Sequence, residues 1–175
     1  MKHRLSAELA GVVSLLALLS TPALAEVKRA DMEGFQEVPA LSTTGQGKCT
    51  VKINQAETEI QATVNYSDLV GTVTQSHIHF GQRSVSAGVM FFFCSNLGNG
   101  PAGTPTCPAP SGSVTRTIVA ADVIGPVGQG IAPGELDEVI DAIRAGDAYC
   151  NVHSTVYPVG EIRGQLKPSS SDSED

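Results

Sequence analysis

Seven short stretches of this chain alternate apolar and polar residues, and each ends in a cluster of Gly, Pro, Asn, Asp or Ser: residues 47–54, 59–66, 72–80, 88–94, 113–119, 148–153 and 161–166. A period of two sends successive side chains to opposite faces, so each stretch reads as a strand with one buried face. Seven strands at this spacing in 175 residues predict one all-β domain, a Greek-key β-sandwich or barrel. The run Val89-Met90-Phe91-Phe92-Phe93 is apolar on both faces and reads as a covered strand filling the core. Residues 95–112, rich in Gly and Pro, read as a long loop. One stretch breaks the pattern. Leu136, Val139, Ile140 and Ile143 fall at i, i+3, i+4 and i+7, with acids before them and Gly146 after, which predicts one short helix over 135–145.

The first 25 residues read as an address. Lys2 and Arg4 precede an apolar run from Leu9 to Leu19, and Ala23-Leu24-Ala25 supplies the small residues of a cleavage site. This is the order of a secretory signal peptide. An 11-residue run rises only about 16 Å as a helix, about half of a bilayer's hydrocarbon core, and no later stretch is longer; no membrane span is expected. The expected organisation is therefore a signal peptide at 1–25, one domain at 26–167 and a disordered acidic tail at 168–175. The expected location is the periplasm or the exterior. Without the signal peptide the chain keeps 17 acidic and 9 basic residues, a balance that argues against nucleic acid or an anionic membrane as partner.

All four cysteines, Cys49, Cys94, Cys107 and Cys150, lie in the exported part. An even number in an oxidising compartment, with no C-x-x-C, points to two disulfides rather than a thiolate metal site. Three pairings are open to four cysteines; Cys94 and Cys107 flank the Gly/Pro-rich loop, and pairing them would leave Cys49 to Cys150. Phase agrees, because Cys49 shares a face with Val51 and Ile53, and Cys150 with Val152.

Beyond the signal peptide only three histidines remain, His77, His79 and His153, and they fall in two of the strands. Residues two apart on a strand share a face at roughly 6.5 Å, a separation from which two imidazoles converge on one ion. Ile78 and Val152 point the other way, so the apolar neighbours enter the core while the imidazoles face outward. Such a site needs a cover, for which the loops 82–88 and 95–112 are available. Neutral imidazole without thiolate suits copper, zinc or nickel, and the affinity order favours copper, with zinc possible. Tyr157, Glu161, Asn151 and Met90 are further candidate partners, none marked by its spacing, and Glu161 with Arg163 shares a strand face near the end of the chain. Affinity should fall as pH drops through about 6.5, where imidazole is protonated. The plainer alternative is a His-x-His that serves only as packing under a loop. No serine sits in a nucleophile elbow, and the reading leans away from an enzyme.

Four segments carry a family likeness: Gln36-Glu37-Val38-Pro39, Ser76-His77-Ile78-His79-Phe80-Gly81, Asn151-Val152-His153 and Gly160-Glu161-Ile162-Arg163-Gly164. In this order they resemble the chordin-type CHRD domain over about residues 30–167. That resemblance implies an exported module; growth-factor binding, the role of the domain in its animal namesake, is not carried over. His77-Ile78-His79-Phe80-Gly81 is also similar to the copper strand of copper/zinc superoxide dismutase, and Val152-His153 to that family's last copper ligand. The likeness implies an immunoglobulin-like or superoxide-dismutase-like barrel and copper at His77, His79 and His153. The expected function is an exported copper-binding protein holding one ion for storage, protection or transfer. The alternatives are an extracellular module with structural histidines and a protein partner, or a mononuclear copper oxidoreductase.

Overall fold

The computed structural model describes residues 25–168. The signal peptide expected at 1–25 lies outside the described residues but for Ala25, as does the expected tail beyond Pro168. Among the described residues there are nine strands and one α-helix, besides three short 3-10 turns: β1 (Glu26–Glu33), β2 (Gln46–Ile53), β3 (Ile60–Ser67), β4 (Val73–Phe80), β5 (Val89–Ser95), β6 (Gly112–Ile118), α1 (Leu136–Ala145), β7 (Ala148–Ser154), β8 (Ile162–Gln165) and β9 (Lys167–Pro168).

Eight of the strands form an antiparallel path, β5-β4-β7-β8-β1-β2-β3-β6, while the two-residue β9 lies against β1. The chain crosses between the two halves of this path after β3, β5 and β6, which gives the Greek-key connectivity. The path curls into a nearly closed barrel. Its open side, between β6 and β5, is bridged by Arg116, whose Nη1 donates to Phe92 O at 2.6 Å while Nη2 pairs with Asp122 at 2.6 Å. That bridge satisfies a strand-edge carbonyl that has no ladder partner on this side.

Two strands escaped the alternation rule. In β1 the inward residues are Lys28, Ala30 and Met32, so one face shows a single large apolar side chain and no β-branched residue. Lys28 is buried because its ammonium meets Glu26 at 2.9 Å. β9 is too short for any periodicity, and it carries strand structure one residue past the expected domain end.

Inside the barrel, Met32, Val51, Ile53, Ile60, Val64, Ile78, Phe91, Phe93, Ile118, Cys150, Val152 and Ile162 form one apolar core. Phe91 and Phe93 are fully buried, and each contributes about 1.5–3 kcal/mol by its removal from water. Helix α1 adds Leu136, Val139, Ile140 and Ile143 to the same core. It stops at Gly146, whose φ of 81° suits glycine, and whose N–H returns to carbonyls of the last turn. β7 starts two residues later.

Both disulfides are formed: Cys49 to Cys150, separated by 101 residues, and Cys94 to Cys107, separated by 13. The first crosses the core from β2 to β7. The second pins the loop that follows β5, where Asn96 also donates to the Val73 and Cys107 carbonyls. Among the described residues no helix is long and apolar enough to cross a membrane.

Candidate metal centre

The site is built on β4, β7 and their neighbours, on the face that points away from the core. Ser76, Ile78 and Val152 turn inward, so Gln75, His77 and His79 of β4 and Tyr149, Asn151 and His153 of β7 turn out together. Antiparallel register sets them in rows. Phe92, His77, Asn151 and Arg163 lie side by side across β5, β4, β7 and β8, with His79, Tyr149 and Gln165 in the next row and Gln75 opposite His153.

His77, His79 and His153 meet at the centre of this face. One ring nitrogen from each lies within 4.8 Å of the others. Ring centroids are 4.6 Å apart for His77 and His79, 4.4 Å for His77 and His153, and 6.3 Å for His79 and His153. All three side chains are buried, although they face outward from the barrel.

Three segments form the cover. Residues 82–88 are fastened by Arg163, which donates from Nη1 to Val85 O at 3.0 Å and from Nη2 to Gln82 O at 2.9 Å, and by the Ala87 N–H, which donates to the Tyr149 hydroxyl at 3.1 Å. Residues 155–160 bring Pro158 O to His153 Nδ1 at 3.0 Å. Residues 34–39 bring Glu37, which accepts from Asn151 Nδ2 at 2.6 Å. Gly160 is required where two of these segments meet. Its φ is 132°, and a Cβ there would fall 2.7 Å from the Glu37 carboxylate. The long loop 95–112 contributes less to the cover than its length promised, reaching this face where Asn99 donates to Gln75 at 2.9 Å.

Hydrogen bonding decides which nitrogens are available. His79 Nδ1 donates to Ala87 O at 2.7 Å and His153 Nδ1 to Pro158 O, which leaves the lone pair of each ring on Nε2. His77 Nδ1 then donates to His79 Nε2 at 2.8 Å. His153 Nε2 is buried with no hydrogen-bond partner, a costly arrangement for a basic nitrogen unless a ligand meets it. Transfer of the His77 proton from Nδ1 to Nε2, a neutral tautomer change, would present three lone pairs to one point.

Burial holds the imidazoles neutral. It drives His77 well below the ordinary histidine value, His79 down to about 4, and His153 down as well. Burial also pushes the Glu37 carboxyl up to about 7, against the opposing pull of Asn151 and Arg163.

The other residues singled out in the sequence are placed differently. Asn151 lies beside the site and is committed to Glu37 and to Ile162 O. Met90 is in the core. Glu161 is a structural carboxylate, accepting from the Thr43 hydroxyl at 2.8 Å and from the Val70 and Gly71 N–H groups. Tyr157 serves the 155–160 turn through its backbone. The sequence does not single out Tyr149, and it marks Phe92 only as part of a core-filling run and Glu37 only as part of a family signature, yet all three frame the histidines. Tyr149 stacks on His79 with rings 4.6 Å apart and 3° from parallel, and Arg163 lies 3.5 Å above the Tyr149 ring. The signal for Tyr149 was its place two residues before Asn151 and four before His153 on one strand face.

Fold and site together define a disulfide-bonded antiparallel barrel with a buried histidine cluster on its outer wall. The CHRD domain matches residues 28–166, and the chain belongs to that family. CHRD domains are extracellular protein-interaction modules, a setting that two disulfides suit. No curated protein and no solved structure matches the chain.

Proposed function

We propose that this CHRD domain is an exported copper-binding protein that holds one ion through His77 Nδ1, His79 Nε2 and His153 Nε2, for storage, protection or transfer outside the cytoplasm. One observation carries this reading: three buried imidazoles converge, and the Nε2 of His153 has no partner among the protein groups around it. The donor set fits. A metal–nitrogen bond of about 2.0–2.1 Å needs nitrogens roughly 3.3–3.6 Å apart, so the His77–His79 contact opens slightly and His153 moves in. Backbone carbonyls already orient two of the rings, as carboxylates and carbonyls do behind metal-bound histidines elsewhere. An apo state of neutral rings has no proton to displace at neutral pH.

A ligand that binds only the folded state raises its stability, by about 4 kcal/mol at a free concentration 1,000 times the dissociation constant. The test is thermal melting of the metal-stripped protein with and without copper. Copper should raise the melting temperature of the native protein by several degrees and leave a His79→Ala variant unmoved. Equal curves for the native protein with and without copper would refute the proposal.

A second reading is favoured by the His77–His79 hydrogen bond of 2.8 Å, which satisfies those two rings without an ion. In it the histidines hold the 82–88 loop to the barrel, and the domain acts through a protein partner. It predicts the same melting curve with and without copper.

A further inference from the structure

From the charge and number of the groups around the three histidines we infer that the site selects monovalent copper, Cu(I), over divalent ions. The inference rests on the copper-holding reading above and goes further by naming the ion's charge.

Charge balance is the first argument. The converging group is three neutral histidines, with no carboxylate or thiolate in it. The carboxyl on this face, Glu37, lies outside that group, accepting from Asn151 at 2.6 Å and interacting with the charge of Arg163. The charged group stacked on the site is a cation: Arg163 lies 3.5 Å over one face of Tyr149, and His79 stacks on that ring at 4.6 Å. Both cannot occupy one face of the ring, so Tyr149 is a spacer between the guanidinium and a ligand. Arg163 cannot turn away to relieve the repulsion, because it is buried with both Nη atoms held by the carbonyls of 82–88.

Burying an ion in such a place costs hydration energy that grows with the square of its charge, about four times more for a divalent than for a monovalent ion of the same size. Without an anionic ligand only the imidazole nitrogens themselves offset that difference.

Ligand number points the same way. Divalent copper takes a tetragonal set of nitrogen and oxygen donors, whereas three nitrogens are a full set for the monovalent ion. The positions next to the triad hold two rings and two amides that are already engaged, Asn151 by Glu37 and Ile162 O and Gln75 by Asn99. The Phe92 ring is 5.0 Å from that of His77, edge to face, and Tyr149, on the far side, spends its hydroxyl on Ala87 N.

The test is chelator competition on the metal-stripped protein. Cu(I) would be measured without oxygen against bathocuproine disulfonate, and Cu(II) and Zn(II) in air against nitrilotriacetate. Cu(I) should bind one per chain and about 100-fold more tightly than either divalent ion, a difference of about 2.7 kcal/mol. A Phe92→His variant supplies a fourth nitrogen beside His77 and should narrow the gap by strengthening Cu(II). Cu(II) or Zn(II) binding as tightly as Cu(I) in the native protein would overturn the selectivity alone. An unchanged gap in a folded Phe92→His protein would count against the ligand-number argument. Failure of both copper valences to bind would overturn the copper-holding reading, and this inference with it.

Discussion

At the scale of single residues, the histidines were legible because the alternation of β4 and β7 puts them on one face, but their surroundings were not. A period-two pattern says which face a side chain takes; it does not say that a loop will close over that face and bury it. Hence the proton competition expected near pH 6.5 moves down. With His77 neutral to well below its ordinary value, His79 to about 4 and His153 lowered as well, copper affinity should begin to fall only below about pH 6.5 and go on falling toward pH 4. Affinities measured across that range check this. Tyr149 is the residue that tests how the site is oriented. Tyr149→Phe keeps the stack on His79 and removes the bond from Ala87 N, and the Ala87 carbonyl holds His79. Copper affinity should fall about tenfold, as is typical for groups behind a metal ligand, while the metal-free protein loses only about 1 kcal/mol.

At the scale of elements, alternation between turn signals was enough for β2 to β8, apart from β5, which was legible as an apolar run, and the i, i+3, i+4, i+7 pattern was enough for α1. β1 was hidden because its buried face is built from Lys28, Ala30 and Met32, and the lysine is tolerated there only through Glu26. The cover was partly misread for a related reason. Loop 95–112 is longer than 82–88, but Asn96 donates to Val73 O at the start of β4 and Pro108 O accepts from the Tyr66 hydroxyl of β3, so the loop is tied mainly away from the histidines. The two disulfides should therefore separate in their effects. Replacing Cys94 and Cys107 by Ser frees a short loop, which costs about 3 kcal/mol and leaves copper binding intact. Replacing Cys49 and Cys150 frees a loop spanning 101 residues and costs about 4–5 kcal/mol. The second change also loosens β7, between Tyr149 and Asn151, and should weaken copper binding. Denaturant melts and copper affinities of the two double variants check both statements.

At the scale of the whole molecule, the buried polar face makes stability depend on pH in a stated direction. Each histidine has a folded-state value below its unfolded value of about 6.5. The unfolded chain therefore binds more protons, and the stability present above pH 6.5 is lost as pH falls toward 4. Glu37 acts in the opposite sense. Its folded value near 7 makes its contribution complete below about 4.5 and lost as pH rises through 7. Three histidines outweigh one glutamate, so the metal-free protein should melt at progressively lower temperature from pH 6.5 to 4. Melting curves that stay level over that interval would mean the rings are solvated. The fold class, the two disulfides and the histidine triad were all within reach of the sequence, since each depends on local period or residue type. The Arg163–Tyr149–His79 stack and the Glu37–Asn151 contact depend on the register of four strands, which local patterns do not specify.

The central claim is that His77, His79 and His153 together hold one metal ion. Its most direct test is the copper content, by elemental analysis, of native protein and of a His77→Ala, His153→Ala double variant, each loaded with copper under reducing and under aerobic conditions and then dialysed. The account predicts one copper per chain in the native protein and none in a folded double variant. Copper retained equally by both, or by neither, would contradict it.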